Sequence, residues 1–187
     1  MSLNELNNII SNCRKCDLYK TRTNTVPGDG NTQADIFFIG EAPGRNEDLE
    51  GKPFVGRAGK VFDELLETIH LKRRDIFIGN ILKCRPPNNR NPYDEEIRKC
   101  TPYLDKQIDI INPKVIVPLG NFATLYIFEK FNIPKLKISS VHGKKFKINT
   151  VNGVLIILPL FHPAAVIYNK NKMPDMTNDF KKILDCI

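Results

Sequence analysis

The sequence predicts an α/β protein: a three-layer sandwich with a central, mostly parallel four-stranded sheet flanked by helices. Three observations carry this. Four short apolar runs, at 35–40, 75–80, 114–120 and 154–159, each close on a glycine, asparagine or proline, the form of strands buried on both faces. Segments of helix length, with apolar residues at helical spacing, separate them, and that alternation implies parallel pairing with helices on both sides. No internal repeat, linker or low-complexity tract interrupts the pattern.

The elements follow in order. Leu3, Leu6, Ile9 and Ile10 recur at helical spacing, so a short amphipathic helix opens the chain and delivers Cys13 and Cys16. A turn-rich stretch at 27–33 precedes the first strand. A helix fits 58–71, with Val61, Phe62, Leu65, Leu66 and Ile69 on one stripe. After the second strand the helical region 94–111 is expected to break at Pro102. The third strand leads into a helix from Asn121 to about Phe131. A lysine-decorated stretch (Lys135, Lys137, Lys144, Lys145, Lys147) turns at Asn152-Gly153, a two-residue hairpin signal, into the fourth strand. A short helix after Phe161-His162-Pro163 and an amphipathic helix over 175–185 complete the chain.

Composition narrows the function classes. The 187 residues are 41% hydrophobic and 26% charged, too apolar for disorder, and the apolar runs stop short of a bilayer span. A single domain over 1–187 is expected at this length. The 28 Lys and Arg against 21 Asp and Glu leave a formal charge of +7, which suits a polyanionic partner but equally a solubility choice. The first ten residues lack the basic-then-apolar pattern of a signal peptide, so a cytoplasmic location is expected. Five cysteines in such a chain argue against a disulfide framework and for a metal or redox site plus one spare thiol, Cys186.

Each strand runs directly into an unusual polar segment: Gly40-Glu41-Ala42, Asn80, Gly120-Asn121 and His162-Pro163. In open parallel sheets ligands bind beyond the carboxyl ends of the strands, so these segments should share one cleft. Singly, Glu41 could cap a helix, Asn80 could close a turn and His162 could be an ordinary loop residue. The glycine-rich loop 51–59 opens a helix whose first backbone amides suit an anion, with Arg57 beside them, while Phe54 in its middle could serve cleft or core. Cys13 and Cys16 form a C-x2-C pair, and Cys84 and Cys100 enclose a proline-rich stretch without histidine. Four thiolates from two distant segments could hold zinc or an iron-sulfur cluster, and the lack of a second C-x2-C leans toward iron and sulfur.

Gly-Glu-Ala-Pro-Gly at 40–44 followed by Glu47 and Asp48, the loop 51–59, Asn80 to Cys84 with Arg85-Pro86-Pro87, and His162-Pro-Ala-Ala165 together resemble the family 4 uracil-DNA glycosylases of bacteria and archaea. The match runs from Cys13 to about Tyr168 in the right order, and it implies that family's fold. It also implies that Cys13, Cys16, Cys84 and Cys100 ligate one 4Fe-4S cluster, with zinc as the alternative, in a lobe formed by 13–16 and 84–100. By the same resemblance, Gly40, Ala42, Glu47, Phe54, Asn80 and His162 bind the base. Asn80 hydrogen-bonds the uracil edge, Phe54 stacks on the ring and Glu47 lies against C5. A methyl group in a pocket is worth only about 1–3 kcal/mol, so a clash there is what would exclude thymine.

His162 is then the donor to uracil O2, and Glu41 positions the attacking water, since Ala42 stands where family 1 relatives carry an aspartate. Glu41 also separates this chain from family 5, which is apolar at that position. The stretch 83–92 has no histidine, so covalent capture of DNA, as in relatives with a histidine-ending insertion, is not expected. Arg57, Arg85, Arg90 and Tyr168 are the expected DNA contacts. The implied partner is uracil-containing DNA, single- or double-stranded; a sliding clamp suits a repair enzyme, a membrane does not, and the protein is expected to be a monomer. A non-catalytic iron-sulfur DNA-binding module, associated with a polymerase or helicase, is the alternative.

Overall fold

A computed structural model describes all residues, Met1–Ile187. In chain order the helices are α1 (Leu3–Ser11), α2 (Arg45–Glu50), α3 (Arg57–Glu67), α4 (Asp94–Ile111), α5 (Asn121–Lys130), α6 (Ile138–Val141), α7 (Ala164–Tyr168) and α8 (Met173–Lys181). The strands are β1 (Asp29–Gly30), β2 (Ile36–Gly40), β3 (Phe77–Asn80), β4 (Val115–Pro118), β5 (Phe146–Thr150) and β6 (Gly153–Ile157). They form one sheet in the order β1-β3-β2-β4-β6-β5.

The four expected strands are the parallel centre, β3-β2-β4-β6. The sheet nevertheless has six strands, because an antiparallel strand has been added at each edge. β1 is only two residues long and lies against β3 through glycine: a Cβ at Gly30 would sit 2.1 Å from the Ile76 carbonyl oxygen. β5 returns to β6 through a hairpin whose loop is Val151 and Asn152, one residue earlier than Asn152-Gly153, because Thr150 pairs with Gly153. Gly153, at φ 118°, absorbs the turn's conformation as the first residue of β6.

The pleat sorts the apolar runs into two cores. Ile36 and Phe38 of β2 face α3 and α8, where Phe62, Leu65, Leu66 and Phe180 are buried; Phe37 and Ile39 face α1, α4 and α5. Phe38 packs edge-on against Phe62 at 5.0 Å, and Phe37 does the same with Phe77 on the opposite side. Helices therefore cover both faces, as a sheet with no polar face requires.

α1 begins with a capping box: the Ser2 hydroxyl accepts from the Glu5 amide, and the Glu5 carboxylate accepts from the Ser2 amide. α4 does not break at Pro102 but runs unbroken from Asp94 to Ile111. Pro102 lies on its exposed side, where the carbonyl that loses its partner can meet water, while Thr101, Tyr103 and Leu104 beside it are buried. α3 stops at Glu67, short of the expected 71, because His70 turns the chain at φ 57°. No helix is long and apolar enough to cross a membrane.

Candidate active site

β2, β3, β4 and β6 all point their carboxyl ends to the same side of the sheet, so the four polar segments converge there. Backbone bonds lock the convergence: the Ile81 and Leu82 amides donate to the Gly40 and Glu41 carbonyls, each at 3.0 Å, and the Gly120 amide donates to Leu160 O at 2.9 Å.

Gly40 is the hinge of the arrangement. A Cβ there would fall 2.4 Å from Asn80 Oδ1 and 3.0 Å from the Phe54 ring, so only glycine lets the amide and the ring close over the end of β2. Asn80 is buried, yet its side-chain amide has no hydrogen-bond partner in the protein, which leaves a donor and an acceptor for a ligand. Phe54 is buried too, at 5% exposure, and serves cleft and core together: its ring stacks on His162 at 5.5 Å and meets Phe62 at 5.1 Å.

His162 sits beyond β6. A Cβ on Gly120, which adopts φ 84°, would come within 3.2 Å of its Cβ. Burial pushes the imidazole down to about 4, with Glu47 opposing, so the ring is neutral near pH 7. The Ala164 amide donates to Nδ1 at 3.1 Å, which leaves the ring proton on Nε2. The preceding residue, Phe161, lies under the His142 ring at 4.3 Å, and His142 Nδ1 is 2.6 Å from the buried Asp179 carboxylate.

Glu41 is half-buried, and burial raises its carboxyl above the ordinary range with no partner to offset the effect. Ala42 beside it packs against the α1/α4/α5 core. Glu47 is tied down completely: Oε2 accepts from the Gly44 amide at 3.1 Å, and Oε1 from the Val55 and Gly56 amides at 2.9 and 2.8 Å. The Val55 and Gly56 amides just ahead of α3 are therefore filled by the protein's own carboxylate, which does not bond the amides of the first turn of α3 itself, Arg57 to Gly59.

The expected DNA contacts differ among themselves. Arg57 is exposed at the start of α3 with no ion pair, and Tyr168 is 89% exposed at the end of α7. Arg85 donates to Asn89 Oδ1 at 2.7 Å. Arg90 grips both carboxylate oxygens of Glu96, at 2.6 and 2.9 Å, and lies 3.6 Å above the Tyr93 ring, so its fork is already filled.

Away from this cleft, Cys13, Cys16, Cys84 and Cys100 line one cavity with Ile10, Leu18 and Tyr103. Burial pushes the Cys100 thiol up to about 12. Two donors already address the sulfurs: Arg22 Nη1 to Cys84 Sγ at 3.1 Å and the Lys83 amide to Cys100 Sγ at 3.2 Å. Four thiols lining one cavity are a donor set of the kind that an iron-sulfur cluster or zinc takes, although no three His, Cys, Asp or Glu side chains stand close enough together to form a metal-ion site. Cys186, as expected, stands apart.

Two residues that sequence reasoning passed over take part. Lys83, 1% exposed, donates through Nζ to the Asn80 carbonyl at 2.8 Å and to Gln107 Oε1 at 2.6 Å, linking the cysteine cavity to Asn80. Its signal was a lysine inside the apolar run Ile81-Leu82-Lys83-Cys84. Arg73, on the turn before β3, binds the backbone around Phe54, and nothing in its local sequence marks it.

An aromatic floor beneath an unpaired amide suits a flat heterocycle with a polar edge, and a neutral imidazole and a carboxyl alongside supply hydrolytic chemistry. The class so defined is a base-binding hydrolase on a parallel α/β sheet. Comparison with known proteins agrees. Residues 27–185 match the family model of the uracil DNA glycosylase superfamily. A type-4 uracil-DNA glycosylase of Archaeoglobus fulgidus is 50% identical over 97% of this chain and 92% of its own length. Those of Sulfurisphaera tokodaii and Thermotoga maritima are 49% and 43% identical, over 97% and 87% of this chain and 83% and 81% of their own lengths. The chain belongs to the uracil-DNA glycosylase superfamily and, within it, to the type-4 group.

Proposed function

We propose that this protein hydrolyses the N-glycosidic bond of uracil in DNA, releasing free uracil and leaving an abasic site, the first step of base excision repair. The observation that carries the mechanism is the Ala164 amide bonded to His162 Nδ1. It leaves a neutral ring with Nε2–H as donor. A reaction that expels uracil as an anion gains most from a donor aimed at O2, where negative charge develops.

The base must leave the helix to reach a pocket at the strand ends, and its polar edge is then read by Asn80 while its face lies on Phe54. Glu47, immobilised by three amides, supplies the unyielding wall against C5 that excludes the thymine methyl group. Glu41, unpaired and half-buried, holds the attacking water and faces the positive charge that builds on the sugar. Gly40 and Ala42 shape the wall around it.

Cys13, Cys16, Cys84 and Cys100 would hold the 4Fe-4S cluster, so that the segment after α1 would be tied to Cys84 in the loop after β3 and to Cys100 on α4. Arg57 and Tyr168 are the contacts best placed to meet the strands flanking the extruded nucleotide, with Arg85 close behind. The protein works as a cytoplasmic monomer, in one domain that includes the cluster lobe.

The test incubates purified protein with a uracil-containing oligonucleotide and its thymine counterpart, then cleaves abasic sites with alkali. Cutting of the uracil strand alone is expected. An intact uracil strand overturns the reading.

A further inference from the structure

Phe54 stands at φ 54°, a left-handed backbone that a bulky side chain rarely adopts, so something must hold it there. Gly59 makes the conformation sterically possible, since a Cβ at that position would fall 1.8 Å from the Phe54 carbonyl oxygen. Space alone does not select the conformation, and the carbonyls of this turn are bonded by Arg73. Its Nη1 donates to Pro53 O at 3.1 Å and its Nη2 to Phe54 O, so one planar guanidinium spans two consecutive carbonyls. The guanidinium is itself fixed by Asp63 of α3, through Nε at 2.7 Å and Nη2 at 3.2 Å. A rigid fork of donors suits this task where a lysine, a point charge on a flexible stem, does not.

We propose that Arg73 is a positioning residue for base recognition: anchored on Asp63, it clamps the Pro53 and Phe54 carbonyls and keeps the Phe54 ring flat beneath the extruded base, against Gly40 and His162. This rests on the reading of Phe54 as the stacking residue. Without the clamp, Phe54 relaxes toward negative φ, and its ring swings away from Asn80 and His162. Arg73 touches neither base nor sugar; it acts through Phe54.

The test is a double-mutant cycle of Arg73→Gln and Phe54→Ala, read as single-turnover cleavage of a uracil duplex and as inhibition by free uracil. Arg73→Gln should slow cleavage by about tenfold or more and weaken uracil inhibition, while binding to uracil-free DNA stays within about twofold of wild type. In the Phe54→Ala background the same change should add less than about twofold, since there is no longer a ring to position. Equal losses in both backgrounds, or an Arg73→Gln protein that cleaves at the wild-type rate, overturn the proposal. Should Arg73→Gln not fold, Arg73→Lys, which keeps a cation beside Asp63 but cannot span both carbonyls, takes its place in the cycle with the same criteria. If Phe54→Ala alone cleaves normally, the stacking reading falls and the proposal with it. If Phe54→Ala is impaired but Arg73→Gln is not, only the clamp is refuted.

Discussion

Gly40 and Asn80 meet so closely at the ends of the neighbouring parallel strands β2 and β3 that a single methyl group on Gly40 would lie 2.4 Å from Asn80 Oδ1. The space beside the Asn80 amide is therefore created by a missing side chain. Gly40→Ala must push Asn80 out of place or tilt Phe54, whose ring stands 3.0 Å away. Single-turnover cleavage of a uracil duplex is expected to fall by at least about tenfold, with binding to undamaged DNA unchanged.

The neutral state of His162 sets the acid behaviour. Its pKa is pushed down to about 4 in the folded protein, against an ordinary value near 6.5. As pH drops below about 6.5 the unfolded chain takes up a proton that the folded chain refuses, so stability should fall progressively through pH 4. His162→Gln, which cannot titrate, should remove that part of the slope in denaturant titrations across the same range. Cleavage should persist below pH 6, where an ordinary histidine would already be charged.

Glu47 serves three backbone amides with one carboxylate, and Glu47→Ala strands all three. Leaving a buried donor unpaired costs about 1–3 kcal/mol. The melting temperature should drop by about 2–4 °C for each kcal/mol lost in a chain of this size, a shift readable by calorimetry. On the proposed reading of Glu47 as the wall against C5, the ratio of thymine to uracil cleavage should also rise.

The cysteine cavity lies where the segment after α1 meets the Cys84–Cys100 stretch. Cys84→Ala should abolish the broad visible absorbance of the purified protein. It should also make the stretch after α1 more susceptible to limited proteolysis, while far-UV circular dichroism stays close to wild type because the sheet and the α3/α8 core lie outside the cavity. Retained absorbance in this variant would remove Cys84 from the ligand set.

Much of this site was legible in the chain. Apolar runs closing on polar residues locate strand ends, and the rule that parallel sheets bind ligands there groups Glu41, Asn80 and His162 before any coordinates exist. The pair Cys13 and Cys16 and the more distant Cys84 and Cys100 likewise stand out in the chain, and they line one cavity. Edge strands were less legible: β1 is two residues of aspartate and glycine, and β5, which only the hairpin signal at Asn152-Gly153 implies, alternates lysine and asparagine with apolar residues on a half-exposed hairpin. Such segments become strands only because a finished sheet offers them an unpaired edge. Pro102 misled for the converse reason, since tertiary packing of its buried neighbours outweighs one missing backbone bond at the surface.

The sequence by itself determined the layer architecture, the residues gathered at the strand ends and the cysteine set, because periodicity and strand order are properties of the chain. Only the tertiary structure decided what those residues are free to do. It occupied the Val55 and Gly56 amides ahead of α3 with Glu47, filled the fork of Arg90 with Glu96, fixed the tautomer of His162 through Ala164 and recruited Arg73 to bond the Pro53 and Phe54 carbonyls. The reason is physical: a hydrogen-bonding group has few valences, and which partner takes them depends on distances between segments far apart in the chain.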